Sequence, residues 1–333
     1  MSLYQTSRSI AIGAIVAASA LLSACGGGGG GSSGSSAAAS SSVLKLSSAV
    51  QSEHVARYAA AFGMLSGPGV AAIYTSVSQS IVSQITAGAP SADVACPTSG
   101  SVDVIAQNAG LLGMQTGETA TVTFNQCVGQ VKAPGVSSGS LISGSVTVQV
   151  QSVQGVVGKN SADWSYTAVE TANALTLTTD TAKTVVNGTV TFTMSYDAAT
   201  GVTTTTASAP TVTLDRTQTL STSSTISGNI TITSLQYSRT HQNGNPSSDT
   251  LSTSGAINIQ ITDATMAFNV STPTPVTLSD GDLQAGTIQL TTSDATETIT
   301  AQDASTVQIT VTSNGQSGSY TESVADFKKL ASG

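Results

Sequence analysis

The sequence predicts a mainly β protein: a large curved antiparallel meander, half-barrel or sandwich-like, with a short N-terminal α-helical segment packed on it. Three observations carry this. Runs such as Thr119-Ala-Thr-Val-Thr-Phe124 and Gly144-Ser-Val-Thr-Val-Gln-Val150 alternate apolar residues with Thr, Ser or Gln, the period-two signature of a strand with one buried face. A local pattern recurs: SGSVTV at 143–148, NGTVTF at 187–192, SGNITI at 227–232, SGAINI at 254–259 and AGTIQL at 285–290. Charged residues make up only 8% of the chain, against about 25% in typical soluble domains; Ser and Thr stand in their place, and β-branched Thr favours strands.

Two helices are expected first, within 47–86. In the first, Val50, Tyr58, Phe62 and Leu65 recur at roughly helical spacing, and Gly67-Pro68-Gly69 is expected to stop it. In the second, Val70, Ile73, Val77, Ile81 and Ile85 form an apolar stripe, with Gly88 and Pro90 beyond it. Neither helix carries the basic face of a membrane-surface helix, so packing onto a sheet is expected.

From Cys96 the period switches to two. In the repeated pattern each glycine is expected to supply a positive φ or a bulge at a turn, with the strand following. The glycines at 144, 188, 228, 255 and 286 are too irregularly spaced for a solenoid, so a meander of hairpins fits better. Ala174–Thr179, Thr211–Leu214 and Thr306–Val311 supply further strands. Asp197-Ala-Ala-Thr-Gly201, Asn243-Gly244, Asp280-Gly281 and Asn314-Gly315 read as hairpin tips. So many strands in one sheet must curl, close or split. A curved sheet with the helices on its concave side is similar in architecture, though in no motif, to the half-barrel sheets of lipoprotein carriers.

The N-terminus has its own logic. A polar start ending at Arg8 leads into the uncharged run SIAIGAIVAASALLSA at 9–24, followed by Cys25. This is the pattern of a secretory signal, too short to span a bilayer as a helix. Leu22-Ser23-Ala24-Cys25 resembles the lipobox of bacterial lipoproteins. The resemblance implies cleavage after Ala24 and acylation of Cys25, with two or more chains giving stable anchoring. Gly26 stands where an inner-membrane retention signal would have Asp, so the resemblance implies the outer membrane of a Gram-negative bacterium, on its periplasmic or its surface face. The Gly/Ser/Ala run 26–42 then reads as a tether with a root-mean-square span of roughly 20–25 Å.

The expected organisation is therefore signal peptide 1–24, lipidated Cys25 and tether 25–42, helical segment 43–95, and an antiparallel β domain 96–333 forming one unit with 43–95. Net charge is −8 and the pI about 4.5; with no basic stripe, nucleic acid is excluded as a partner. Beyond residue 24 no apolar run is expected to reach membrane length. Cys96 and Cys127 are an even pair in an oxidising compartment, so a disulfide is expected; a two-cysteine metal site would lack further ligands nearby.

No catalytic, cofactor or metal site is expected. His54 and His241 lack metal-ligand company and read as helix-surface and turn residues. Gly135-Val-Ser137-Ser-Gly139 matches the nucleophile elbow G-x-S-x-G but lacks a buried strand before it and a helix after it. Asp280-Gly-Asp282 offers two carboxylates, too few for a calcium loop. Aromatics are 4% of the chain, which argues against a sugar cleft, and Trp164 with Tyr166 fits one buried strand face. The expected function is a non-enzymatic, lipid-anchored envelope protein with a structural or interaction role, its partners the membrane, through the acyl chains on Cys25, and an envelope protein. The alternative is a carrier of a hydrophobic ligand such as a lipid in the concave face.

Overall fold

The computed structural model describes residues 42–87, 91–106, 114–131, 139–221, 224–242, 247–261, 264–279 and 282–326. The chain opens with β1 (Ser42–Val43), a 3₁₀ turn (Leu46–Val50), α1 (Glu53–Met64), a π-helical turn (Leu65–Gly69) and α2 (Val70–Ala87). Strands follow without interruption: β2 (Ser91–Ala95), β3 (Ser99–Ala106), β4 (Thr119–Val128), β5 (Leu141–Gln154), β6 (Trp164–Thr178), β7 (Ala182–Asp197) and β8 (Val202–Ser221). Then come β9 (Ser224–Gln242), β10 (Ser248–Ile261), β11 (Ala264–Ser279), β12 (Asp282–Thr291), β13 (Thr296–Ala301), β14 (Thr306–Ser313) and β15 (Gln316–Ser323).

The expected meander is present. Strands β2 to β15 pair antiparallel in strict sequence order, while β1 adds a short parallel pairing to β11. β2 and β15 do not meet, so the sheet stays open. Alternation places one face inward on every strand. In β6, Trp164, Tyr166, Ala168, Glu170 and Ala172 are buried; in β14, Val307, Ile309 and Val311 are buried and alternate with Thr306, Gln308, Thr310 and Thr312. The outward face is lined with hydroxyls that pair across strands, Thr167 with Thr193 at 3.0 Å and Thr171 with Thr189 at 3.1 Å.

The inward face wraps the helices. α1 packs against β12, β13 and β14, α2 against β2, β3, β4 and β7, and the π turn against β9 and β10. Ala56, Ala59, Ala60, Val70, Tyr74 and Val77 are fully buried. With each buried large aliphatic side chain contributing about 1.5–3 kcal/mol, this helix–sheet contact is the core of the fold.

Three expectations need correction. Gly67-Pro68-Gly69 does not stop the first helix; it lies within the π turn Leu65–Gly69, which leads directly into α2. A π turn has already broken the i→i−4 ladder, so a proline there removes little. As a result Glu53–Ser80 forms one helical run of 28 residues whose most apolar window has a mean hydropathy of 1.2, and which by length and composition does reach membrane length. Most of it, 88% of its most apolar window, is buried inside the protein, as expected of a helix apolar on all sides that serves as a core.

The second correction concerns the repeated glycines. Gly144, Gly188, Gly228, Gly255 and Gly286 sit inside β5, β7, β9, β10 and β12, not at the turns before them. The strands are consequently longer than the alternating runs suggest. Pairing slips at several of these points, between Ser143 and Ser145 and between Gly188 and Thr191. Such bulges bend a strand and increase its twist, which curls the sheet around α1 and α2. Gly286 is the most constrained, with φ +115° and a Cβ there falling 2.5 Å from the Val276 Cα. Third, the sheet begins at Ser91 in β2, ahead of Cys96.

The tips Asp197–Gly201 and Asn314-Gly315 are turns, the latter with φ of 50° and 76°, as a type I′ hairpin requires. Asn243-Gly244 and Asp280-Gly281 lie outside the described residues. A disulfide joins Cys96 and Cys127, with Cα atoms 5.5 Å apart, and fastens the β2–β3 turn to β4.

Candidate functional site: a polar pocket at the sheet rim

Period two puts Tyr237, Arg239 and His241 on the inward face of β9, and the β9–β10 register sets His241 directly opposite Asp249. Asp249 Oδ1 accepts from Arg239 Nε at 2.7 Å and lies 2.8 Å from His241 Nδ1. Arg239 Nη2 is 3.5 Å from the same imidazole nitrogen. Burial pushes the Asp249 carboxyl up, but the hydrogen bonds and charges of His241 and Arg239 outweigh it and hold it below the usual range.

These three residues line a cavity of about 270 Å³ at the rim of the sheet, closed on its other sides by Ser76 and Gln79 of α2, by Gln130 and by Tyr237. Burial raises the Tyr237 phenol to about 12. An aspartate that holds imidazole Nδ1 orients the ring in the way an acid–base pair requires. The Ser76 hydroxyl in this pocket is committed to the Ile73 carbonyl at 2.7 Å, so no Ser-His-Asp relay is formed through it. What the arrangement does is tie β9 to β10 across the hairpin and present hydrogen-bonding groups at the rim.

A second polar centre is buried in the core. Ser78 of α2 donates to Glu170 Oε1 of β6, while Glu170 Oε2 has no partner. Tyr166 O–H donates to the Ser78 carbonyl at 3.4 Å, and Tyr74 O–H to the Gly188 carbonyl at 3.0 Å. Burial without a neighbouring cation pushes the Glu170 carboxyl up to about 8, only partly opposed by the Ser78 hydroxyl. Glu297 on β13 faces α1 in the same way, and burial holds it well above its ordinary value. Glu322 on β15 is different: burial raises it, but Arg57 of α1 pairs with it and ties that edge strand to the helix.

Of the residues singled out in the sequence, Cys25 lies outside the described residues, as do Gly135–Ser138 of the G-x-S-x-G match. Cys96 and Cys127 are bonded to each other. His54 is exposed on α1, as read. His241 is half-buried and hydrogen-bonded to Asp249, not a turn residue, because the strand continues past it to Gln242. Asp282 begins β12, and Asp280 is outside the described residues. Trp164 is a core residue stacked with Tyr166 and Tyr196. Among the described residues, no group of three His, Cys, Asp or Glu side chains is placed to ligate a metal.

Comparison with protein-family models gave no match, and neither curated proteins nor solved structures gave one.

Proposed function

We propose that this chain is a lipid-anchored envelope protein of a Gram-negative bacterium, held at the outer membrane by acyl chains on Cys25, with a non-enzymatic structural or interaction role. The observation that carries this reading is the occupancy of the concave face: α1 and α2 fill the inward side of the sheet with their own buried side chains. What the fold offers to a partner is its outward face, charge-poor and rich in paired hydroxyls, and its rim. The lipobox-like Leu22-Ser23-Ala24-Cys25 and the Gly/Ser run up to residue 42 supply the anchor and the reach. The alternative, a lipid carrier, needs apolar room between helix and sheet, and that contact is packed with Ala56, Ala59, Tyr74 and Val77.

The test combines anchoring with contact. In a Gram-negative host, labelled palmitate is expected to enter the wild-type chain and not Cys25→Ser, with the wild type alone in the outer-membrane fraction. A photo-crosslinker placed at outward-facing Thr193 is expected to give a discrete envelope-protein adduct. Palmitate labelling of Cys25→Ser, or the absence of any adduct at Thr193, contradicts the proposal.

A further inference from the structure

The rim pocket around Arg239 and Asp249 holds polar atoms that its own network does not use. Alternation turns Tyr237, Arg239 and His241 of β9, and Asp249 and Leu251 of β10, to the inward side, and all five line the cavity of about 270 Å³ there. α2 faces them with Ala72, Ser76 and Gln79, which share one helical stripe. The last wall is the disulfide corner. Pro97 follows Cys96, and Gln130, just beyond Cys127, donates from Nε2 to Ser80 Oγ of α2 at 3.3 Å. The walls are therefore held before any ligand arrives.

Arg239 Nε and His241 Nδ1 both meet Asp249 Oδ1. Among the described residues no hydrogen bond occupies Arg239 Nη1 or Asp249 Oδ2, and neither atom is sealed from solvent. An anion entering here meets the Asp249 carboxylate and a cation meets the Arg239 guanidinium, so a net charge of either sign is opposed. A neutral group that carries both an acceptor and a donor is opposed by neither. A carboxamide has both, with its carbonyl accepting from Arg239 Nη1 and its NH₂ donating to Asp249 Oδ2. Leu251 and Leu278 supply an apolar wall for its methylene stem. Tyr237 is 5% exposed, so its ring offers no platform on which a sugar could stack.

The pocket also lies far from where the chain enters the fold. Val43 of β1 pairs with Thr265, and Thr265 with Gln260. Asp249 is at the other end of β10, roughly 35 Å away along an extended strand. An anchor ahead of β1 leaves this end of the sheet directed to a partner, not to the membrane that holds the anchor.

We propose that the rim pocket receives one Asn or Gln side chain of a partner protein. The proposal rests on the interaction role given above and names the chemistry by which the partner is held.

The test uses the full-length chain in nonionic detergent, with melting temperature followed at constant ionic strength. The probe is Nα-acetylglutamine N-methylamide, compared with its glutamate and lysine counterparts and with N-acetylglucosamine. A saturable rise is expected with the glutamine compound, with a Kd of about 1 mM as its size allows, and binding about tenfold weaker or absent with the other three. Arg239→Gln is expected to lose the response. If that variant does not fold, Ala72→Phe decides, since it fills the cavity without touching the polar network, and it too is expected to lose the response. No response of the wild type to the glutamine compound overturns the site, as does equal or tighter binding of any of the other three. So does an unchanged response in Arg239→Gln, or in Ala72→Phe where that variant decides. None of these readings depends on acylation of Cys25 or on an adduct at Thr193, so failure of this site and failure of the anchored interaction role are told apart.

Discussion

Ser78 on the central helix donates a hydrogen bond to Glu170, a carboxylic acid buried in the facing strand with no cation beside it. Burial favours the protonated acid, and the Ser78 hydroxyl offsets that only in part.

The pH dependence follows. Glu170 binds its proton up to about pH 8 in the folded state and loses it near 4.5 when unfolded. Between those values the folded state holds more protons on this group, so the Glu170 contribution to stability is greatest at and below about pH 4.5 and falls as pH rises towards 8, by up to about 1.4 kcal/mol per pH unit. Glu297 adds to the same trend. In thermal melts, Glu170→Gln is expected to flatten this decline and to be the more stable protein at pH 8. A decline as steep as in wild type would refute the assignment.

Asp249 has the opposite sign. Its carboxyl is held below the ordinary value by His241 and Arg239, so it contributes stability above the unfolded pKa that is lost as pH falls through the folded one. Asp249→Asn is expected to destabilise the protein by about 1–3 kcal/mol at neutral pH, with the deficit shrinking below about pH 4. Denaturant melts at pH 7 and pH 3 compare the two.

Gly286 tests the role of mid-strand glycines. With φ at +115° and backbone atoms of Pro275 and Val276 within 3.0 Å of a Cβ, Gly286→Ala is expected to cost more than about 1–3 kcal/mol, the usual range for strain of this kind. At Gly201, which has open space around it, the same substitution carries only the positive-φ penalty and should cost less. Equal losses in urea titrations would remove the argument.

The disulfide closes a loop with a sequence separation of 31. Cys96→Ser with Cys127→Ser is expected to lower stability by about 3–4 kcal/mol, read as a lower urea midpoint than that of the oxidised wild type.

Much of this fold can be read from period two alone. Val102, Val104, Val307, Ile309 and Val311 announce their inward face directly. The same period would also have placed Glu170 beside Trp164 and Tyr166, and Arg216 beside Val212 and Leu214, on the buried side. The contact of His241 with Asp249 was not reachable, since a two-residue tip at Asn243-Gly244 would set His241 opposite Pro246, whereas the register sets it opposite Asp249. Other features leave no local trace. Whether Gly67-Pro68-Gly69 ends a helix or passes through a π turn depends on Thr253 and Val270 packing against Gly67. Whether a glycine starts a strand or bends it depends on what the strand must wrap around, and here that is a helix far away in sequence.

The most direct test of the account is native mass spectrometry of the full chain, expressed in a Gram-negative host and released from its membranes in nonionic detergent. The account predicts a mass that begins at Cys25 and carries acyl groups on that residue, with no further acyl-chain ligand retained when detergent is stripped in the gas phase. A chain that is unacylated at Cys25, or one that keeps a stoichiometric hydrophobic ligand between sheet and helices, would contradict it.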